Sequence, residues 1–207
     1  MDEIIELGFS ALLHQIGMLK VPRDIREKSD ELASSERQMI QSFPAHSLNL
    51  CENFKGIPRT TPIVMFQVNE RLDASGYPRG LDGKSLHPYS KIVAVAASYD
   101  AMIRERPYRG AKHPYKAMEE VLYEVNKGRY DVVVARGLLE TLGLFPVGSG
   151  VSLSDGRFGR VLDSLGTNYL ARCKQACADV GPRCRGLQVE GGQHQTCKLV
   201  GEGLKES

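Results

Sequence analysis

Three short stretches of this chain hold residue types that could do chemistry. "LLHQIGMLKVP", Leu12 to Pro22, sets His14 at the end of an apolar helical run, just ahead of a glycine. "QVNER", Gln67 to Arg71, places the amide of Asn69 and the carboxylate of Glu70 at a helix end facing a polar loop. "RERPYR" sets Arg104, Arg106 and Arg109 around a proline and a tyrosine, and guanidinium forks match phosphate oxygens. Each has a plainer reading beside it. A histidine closing an apolar helix is commonly a satisfied core residue, Glu70 and Arg71 can pair with neighbours and cap their helix, and an arginine next to a tyrosine often only stacks at the surface.

The elements that must position these groups follow from periodicity. Ile4, Ile5, Leu7, Ala11, Leu12 and Ile16 recur at helical spacing, so the chain opens within a helix, one that no capping residue precedes. Pro22 ends it. Ser34 and Ser35 predict an N-cap for a second helix over "ERQMIQSF", Pro44 a kink or fresh start, and Pro62 the first turn of "TPIVMFQVNER". "VNERLDASGYPRGLDG", Val68 to Gly83, then reads as a loop, since Gly76, Pro78, Gly80 and Gly83 break regular structure. The nearly apolar Tyr89 to Arg104 run is too long and alanine-rich for a strand and predicts a buried helix. "HPYKAMEEVLYEVNKG" and "DVVVARGLLETLG" predict two more, with His87 and His113 as helix-entry residues before their prolines. "VSLSDGRFGRVL" alternates like a β-hairpin.

Composition excludes several classes. A formal charge of +2 over 207 residues is too mild for a nucleic-acid binder, and no apolar run reaches the length of about 18 residues that spans a membrane. An acidic start unlike a leader sets the expectation of a cytoplasmic protein. Of five cysteines, Cys51 stands alone while Cys173, Cys177, Cys184 and Cys197 crowd the tail near His194. Their spacing of three, six and twelve intervening residues matches no familiar zinc site, and the odd total argues against a disulfide framework.

Taken together, the motifs resemble the HD-GYP family, the divergent branch of metal-dependent HD phosphohydrolases. "LLHQIGMLKVP" is similar to the family's LLHDIGK signature, "ERLDASGYPRGL" to its HHERxDGxGYPxGL loop, and "KIVAVAASYDAMIRERPYR" to its helix ending in RPYR. The likeness runs from about Leu7 to Leu144, and the sequence after Phe145 resembles a short β tail of some members. It implies an all-α HD-domain bundle around an iron or manganese centre that hydrolyses cyclic di-GMP with a metal-bridging hydroxide. It also implies two or three helices ahead of the signature, so apolar surface on the opening helix is expected to be exposed or covered by a partner.

Carried over residue by residue, the likeness fails at the ligands. His14 is kept, but the bridging aspartate falls on Gln15, the signature lysine on Met18 and a further histidine on Phe43. The paired histidines fall on Val68 and Asn69, leaving Glu70, and the aspartate of the long helix falls on Ala97, although Asp100 survives. A two-metal site needs several anionic or imidazole donors, so the expectation is no metal, no cofactor and no catalytic residue, with His14, Gln15, Asn69, Glu70 and Ala97 as vestiges. The reading is a bacterial pseudoenzyme of cyclic di-GMP signalling that meets a protein partner, such as a diguanylate cyclase, through Arg71, Asp73, Gly76, Tyr77, Pro78 and Gly80. The alternatives are cyclic di-GMP binding without hydrolysis through Tyr77, Arg106, Arg109 and Lys112, and an active phosphodiesterase with an atypical site. The expected organisation is a helical domain over 1–145, a β-hairpin unit over 146–170 and a Cys/Gly-rich tail over 171–207, the tail being an unrelated extension or the product of an altered reading frame.

Overall fold

A computed structural model describes residues 2–52, 54–106, 109–143, 147, 150–152 and 158–160. Eight α-helices are described: α1 (Glu3–Leu13), α2 (Arg23–Arg26), α3 (Ser34–Gln41), α4 (Phe43–Cys51), α5 (Thr60–Gln67), α6 (Pro88–Ile103), α7 (Pro114–Asn126) and α8 (Val132–Leu142). A 3-10 turn, Ile16–Lys20, joins α1 to α2. The strands Gly150–Ser152 and Phe158–Arg160 pair antiparallel. The segment between them lies outside the described residues, as do the cysteine-rich tail and its cysteines. Met1–Arg136 forms one compact unit, and Gly137 opens a second. No described helix is long and apolar enough to cross a membrane.

Local chemistry explains where these helices start and stop. Contrary to the sequence expectation, α1 does have a cap: the Asp2 carboxylate accepts from the Ile4 amide at 3.1 Å, satisfying a donor that the first turn cannot pair internally. The second expected cap also moves. α3 starts at Ser34, so Ala33 is the N-cap residue, and because alanine has no acceptor the stabilisation comes from Glu36, whose carboxylate reaches back to the Ala33 amide at 2.8 Å. Ser42 separates α3 from α4, with Pro44 in the first turn of α4. His87 and His113 do enter helices. Each imidazole Nδ1 accepts the amide two residues on, at 3.2 and 3.3 Å, so both are held with a lone pair on Nδ1.

Packing then fixes the frame. Val64 of α5, Val68 just past its end, and Val93 and Ala94 of α6 form one buried cluster, closed by Leu7 and Tyr89. Val21, Ile25 and Phe43 form another, against which Met18, Ile40 and the loop residue Tyr77 pack. α1 and α6 run side by side in the same direction, since Tyr89 feels the charges of Glu3, Glu6 and Asp2 while His14, at the other end, feels Asp100. On the opposite side of α1 the apolar Ile4, Ile5, Phe9 and Leu12 are exposed.

The turn that carries His14 into the site is set by a glycine. Gly17 is buried against α4, its amide donating to Ser47 Oγ at 2.9 Å, and an added Cβ would lie 2.0 Å from the Phe43 carbonyl oxygen. Because the obstacle is backbone, a methyl there must push the turn off α4. Gly17→Ala is therefore expected to destabilise by about 1–3 kcal/mol or more, lowering the melting midpoint by about 5 °C or more. Thermal denaturation followed by circular dichroism measures this, and an unchanged midpoint would show that the turn is not so constrained.

Candidate functional site

The loop after α5 is built around a buried charge. Glu70 is 2% exposed, and its two carboxylate oxygens accept the main-chain amides of Arg79 at 2.8 Å and Leu81 at 3.0 Å. It therefore folds the far limb of the loop back onto its stem. Between those points Gly76 lies so close that a Cβ would sit 2.4 Å from the Arg71 nitrogen, Tyr77 N donates to the Asn69 carbonyl at 3.2 Å, and the Tyr77–Pro78 bond is cis. Ala74 and Gly80 take positive φ, 62° and 65°, at the two bends. Asp73 accepts from the amide and hydroxyl of Ser75, and Asp82 does the same for Ser85. The Ser75 hydroxyl, more than Arg129, holds the Asp73 carboxyl below its ordinary range. Tyr77 turns inward, and its burial pushes the phenol above its usual range.

The stem is tied to α6 by a residue that local sequence did not single out. Gln67 Oε1 accepts both the His87 amide and the Ser90 hydroxyl at 2.9 Å, while its Nε2 donates to the Ser85 carbonyl at 3.3 Å. A glutamine at a helix end gives no sign in sequence of partners about twenty residues away.

At the C-terminal ends of α1 and α6 the structure brings His14 near Asp100. His14 Nδ1 lies 2.7 Å from the Ala11 carbonyl, an atom that only accepts, so Nδ1 carries the proton and Nε2 presents a lone pair. Burial lowers the imidazole below its ordinary range, against the raising pull of the Ala11 carbonyl and the Asp100 charge. Nε2 is buried without a partner, and so is Asn69 Nδ2. Asp100 itself pairs with Arg104 at 2.7 Å. Gln15 is exposed and Ala97 half-buried, and neither replaces a lost donor.

The arginine group forms a tight turn in which Arg106 and Arg109 exchange main-chain hydrogen bonds at 2.8 and 2.9 Å; its tip, residues 107 and 108, lies outside the described residues. Arg109 Nη2 donates to the Ala101 carbonyl at 2.7 Å, leaving its buried Nε without an acceptor. Lys112 pairs with Glu120 at 3.0 Å. Two of the expected phosphate-gripping groups are thus engaged within the protein, and Tyr77 belongs to the loop's packed side.

Comparison with known proteins identifies the frame. A family model described as an HD domain matches residues 2–134. The chain is 31% identical over 165 residues to a cyclic di-GMP phosphodiesterase of Pseudomonas aeruginosa, covering 80% of this chain and 39% of that protein. It is 35% identical over 127 residues to a 3'3'-cGAMP-specific phosphodiesterase of Vibrio cholerae, covering 60% and 29%. Among solved structures, an HDG"Y"P protein from Bdellovibrio bacteriovorus superposes with a TM-score of 0.54 at 20% identity, over 66% of this chain and 43% of that one, and bears out the helical HD-domain fold. The chain spans about two-fifths of the length of the first relatives it matches.

These matches overturn one expectation. The HD domain is a metal-binding fold and its phosphodiesterase members are metal-dependent, so the exclusion of a cofactor from this chain does not stand; a divalent metal such as iron or manganese belongs to the family's chemistry. His14 and Asp100 are the suited neighbours, Glu70 is committed to main-chain amides, and no three His, Cys, Asp or Glu side chains converge among the described residues.

Glu70→Gln tests the build of the loop. The variant keeps one acceptor and turns an NH2 group toward a buried amide, which costs about 1–3 kcal/mol. Urea denaturation should show that loss, and an unchanged midpoint would mean that the two amide bonds do not hold the loop.

Proposed function

Because this chain belongs to the HD-domain family, in its HD-GYP branch, we propose that it works in cyclic di-GMP-type signalling as a recognition module whose loop, Glu70 to Gly83, meets a protein partner rather than hydrolysing a phosphodiester. The observation that carries this reading is the use of Glu70. The carboxylate beside the positions of the family's paired histidines is buried and filled on both oxygens by Arg79 and Leu81 amides, so it fixes the shape of a surface and is not free for chemistry. The residue types at Gln15, Val68, Asn69 and Ala97 support the same reading, because none supplies the anionic or imidazole donor that the resemblance places there. On the surface of that fixed shape, Asp73, Ser75, Pro78 and Arg79 are exposed and offer both charges to a partner.

A specific observation favours a second reading, cyclic di-GMP held without hydrolysis by Tyr77, Arg106, Arg109 and Lys112. Arg109 Nε is a buried donor with no acceptor, and a phosphate oxygen would satisfy it.

Two measurements on the purified chain separate the readings. Calorimetry with cyclic di-GMP, in buffer containing manganese, is expected to show no binding up to several hundred micromolar, and chromatography of the same mixture no linearised product. A saturable heat would support the second reading instead, and sustained turnover would overturn both. On a sensor surface, capture of a purified diguanylate cyclase is expected to weaken about tenfold or more in the double variant Asp73→Arg, Arg79→Glu; equal capture by both forms removes the loop from the interface.

A further inference from the structure

The loop has two limbs, and Glu70 holds only the far one. We propose that the near limb, Arg71 to Asp73, is fastened separately by the turn between α7 and α8, so that Arg129 and Tyr130 are positioning residues for the recognition loop. The inference rests on the loop being the recognition surface, and it deepens that reading by naming what aims it.

The geometry is specific on both sides of the limb. Leu72 N donates to the Arg129 carbonyl at 3.1 Å, and Arg129 Nε reaches Asp73 Oδ2 at 3.3 Å. The Arg71 guanidinium lies over the Tyr130 ring, 4.9 Å from its centroid, while its Nη1 donates to the Glu70 carbonyl at 2.9 Å. Neither anchor floats. Arg129 Nη1 is held by Glu124 Oε2 at 3.1 Å on α7, and Tyr130, buried, shares a hydrogen bond of 2.5 Å with Ser98 on α6. Gly128, at φ 74°, ends α7 in the conformation that sends Arg129 and Tyr130 back toward the loop.

The two fasteners differ in kind. Glu70 is a buried charge with both oxygens on amides, so its loss is felt by the whole unit. The Arg129–Asp73 pair is about a third exposed on each side, and such pairs add little to global stability. What it can add is direction. Leu72, Arg129 and Tyr130 line, with Gln67 and Glu70 of the loop stem, a half-open pocket of only about 10 Å³, about the space of one water. The limb has little space to move inward, and Arg129 limits its movement outward.

Hydrogen exchange on the full chain tests this, limb by limb. Arg129→Gln is expected to speed exchange at the Leu72, Ala74 and Gly83 amides about tenfold, leave the Arg79 and Leu81 amides unchanged, and shift the melting midpoint by less than about 2 °C. Glu70→Gln should show the reverse selectivity, with Arg79 and Leu81 released first. If Arg129→Gln leaves the near limb protected, or loosens both limbs together, the proposal fails. Tyr130→Phe, which keeps the ring under Arg71 and drops only the hydroxyl, should loosen the same near-limb amides by a smaller factor, and Tyr130→Ala by as much as Arg129→Gln; protection equal to the parent chain in Tyr130→Ala would remove Tyr130 from the fastener. In the cyclase capture, Arg129→Gln should weaken binding about threefold or more although Arg129 lies outside the exposed loop residues. If the parent chain captures no cyclase, the recognition reading falls while the exchange result still decides the fastener.

Discussion

A carboxylate taken out of water must be fully hydrogen-bonded or the fold loses several kcal/mol, and in this chain that requirement falls on Glu70. Charge-assisted bonds to two amides are the stronger class of hydrogen bond, and they can offset the loss of hydration only if Arg79 and Leu81 sit where they do. Much of the loop follows from that need. The far limb must return to the stem in nine to eleven residues, which forces the bends at Ala74 and Gly80 and the close passage of Gly76 over the Asn69–Arg71 backbone. Tyr77 is thereby turned onto Val21, Ile25 and Phe43, so the loop's interior is continuous with the bundle's second apolar cluster.

The other end of the site obeys a different constraint, the parallel course of α1 and α6. Their common direction brings His14 to Asp100, and the contact of Gly17 with the Phe43 carbonyl fixes where the chain leaves α1. The Ala11 carbonyl then selects the His14 tautomer, leaving a buried lone pair on Nε2 beside few groups that could use it. A histidine so held suits a cation or a donor hydrogen, and the family's metal dependence gives the cation its chemical precedent.

Much of this architecture was legible from residue order because the signals are local. Helical spacing of apolar residues marks α1, the length and alanine content of an apolar run mark α6, and the Gly and Pro pattern marks the loop from Val68 to Gly83. The apolar recurrence that marks α1 begins only at Ile4 and so does not point to Asp2, although an aspartate two residues ahead of Ile4 is an ordinary cap. Gln67, Arg129 and Tyr130 were not legible for a deeper reason. Their partners lie about 20 to 60 residues away, and an isolated polar residue at a helix end looks the same whether it faces water or a distant loop. Arg109 and Lys112 show the converse: residue type points to a ligand, and the fold also gives each an internal partner that residue order does not reveal.

The contacts that shape the loop are distinct from the positions at which the resemblance places metal donors. In this chain none of the bonds that shape the loop passes through the side chains of Gln15, Val68, Asn69 or Ala97: the Glu70 clasp, the Asp73 and Asp82 turns and the Arg129 and Tyr130 contacts are self-sufficient. Replacing a donor at those four positions alters what the centre can bind without removing any hydrogen bond that holds the loop. The loop's shape and the centre's chemistry are therefore separable by single substitutions, and selection on one need not preserve the other.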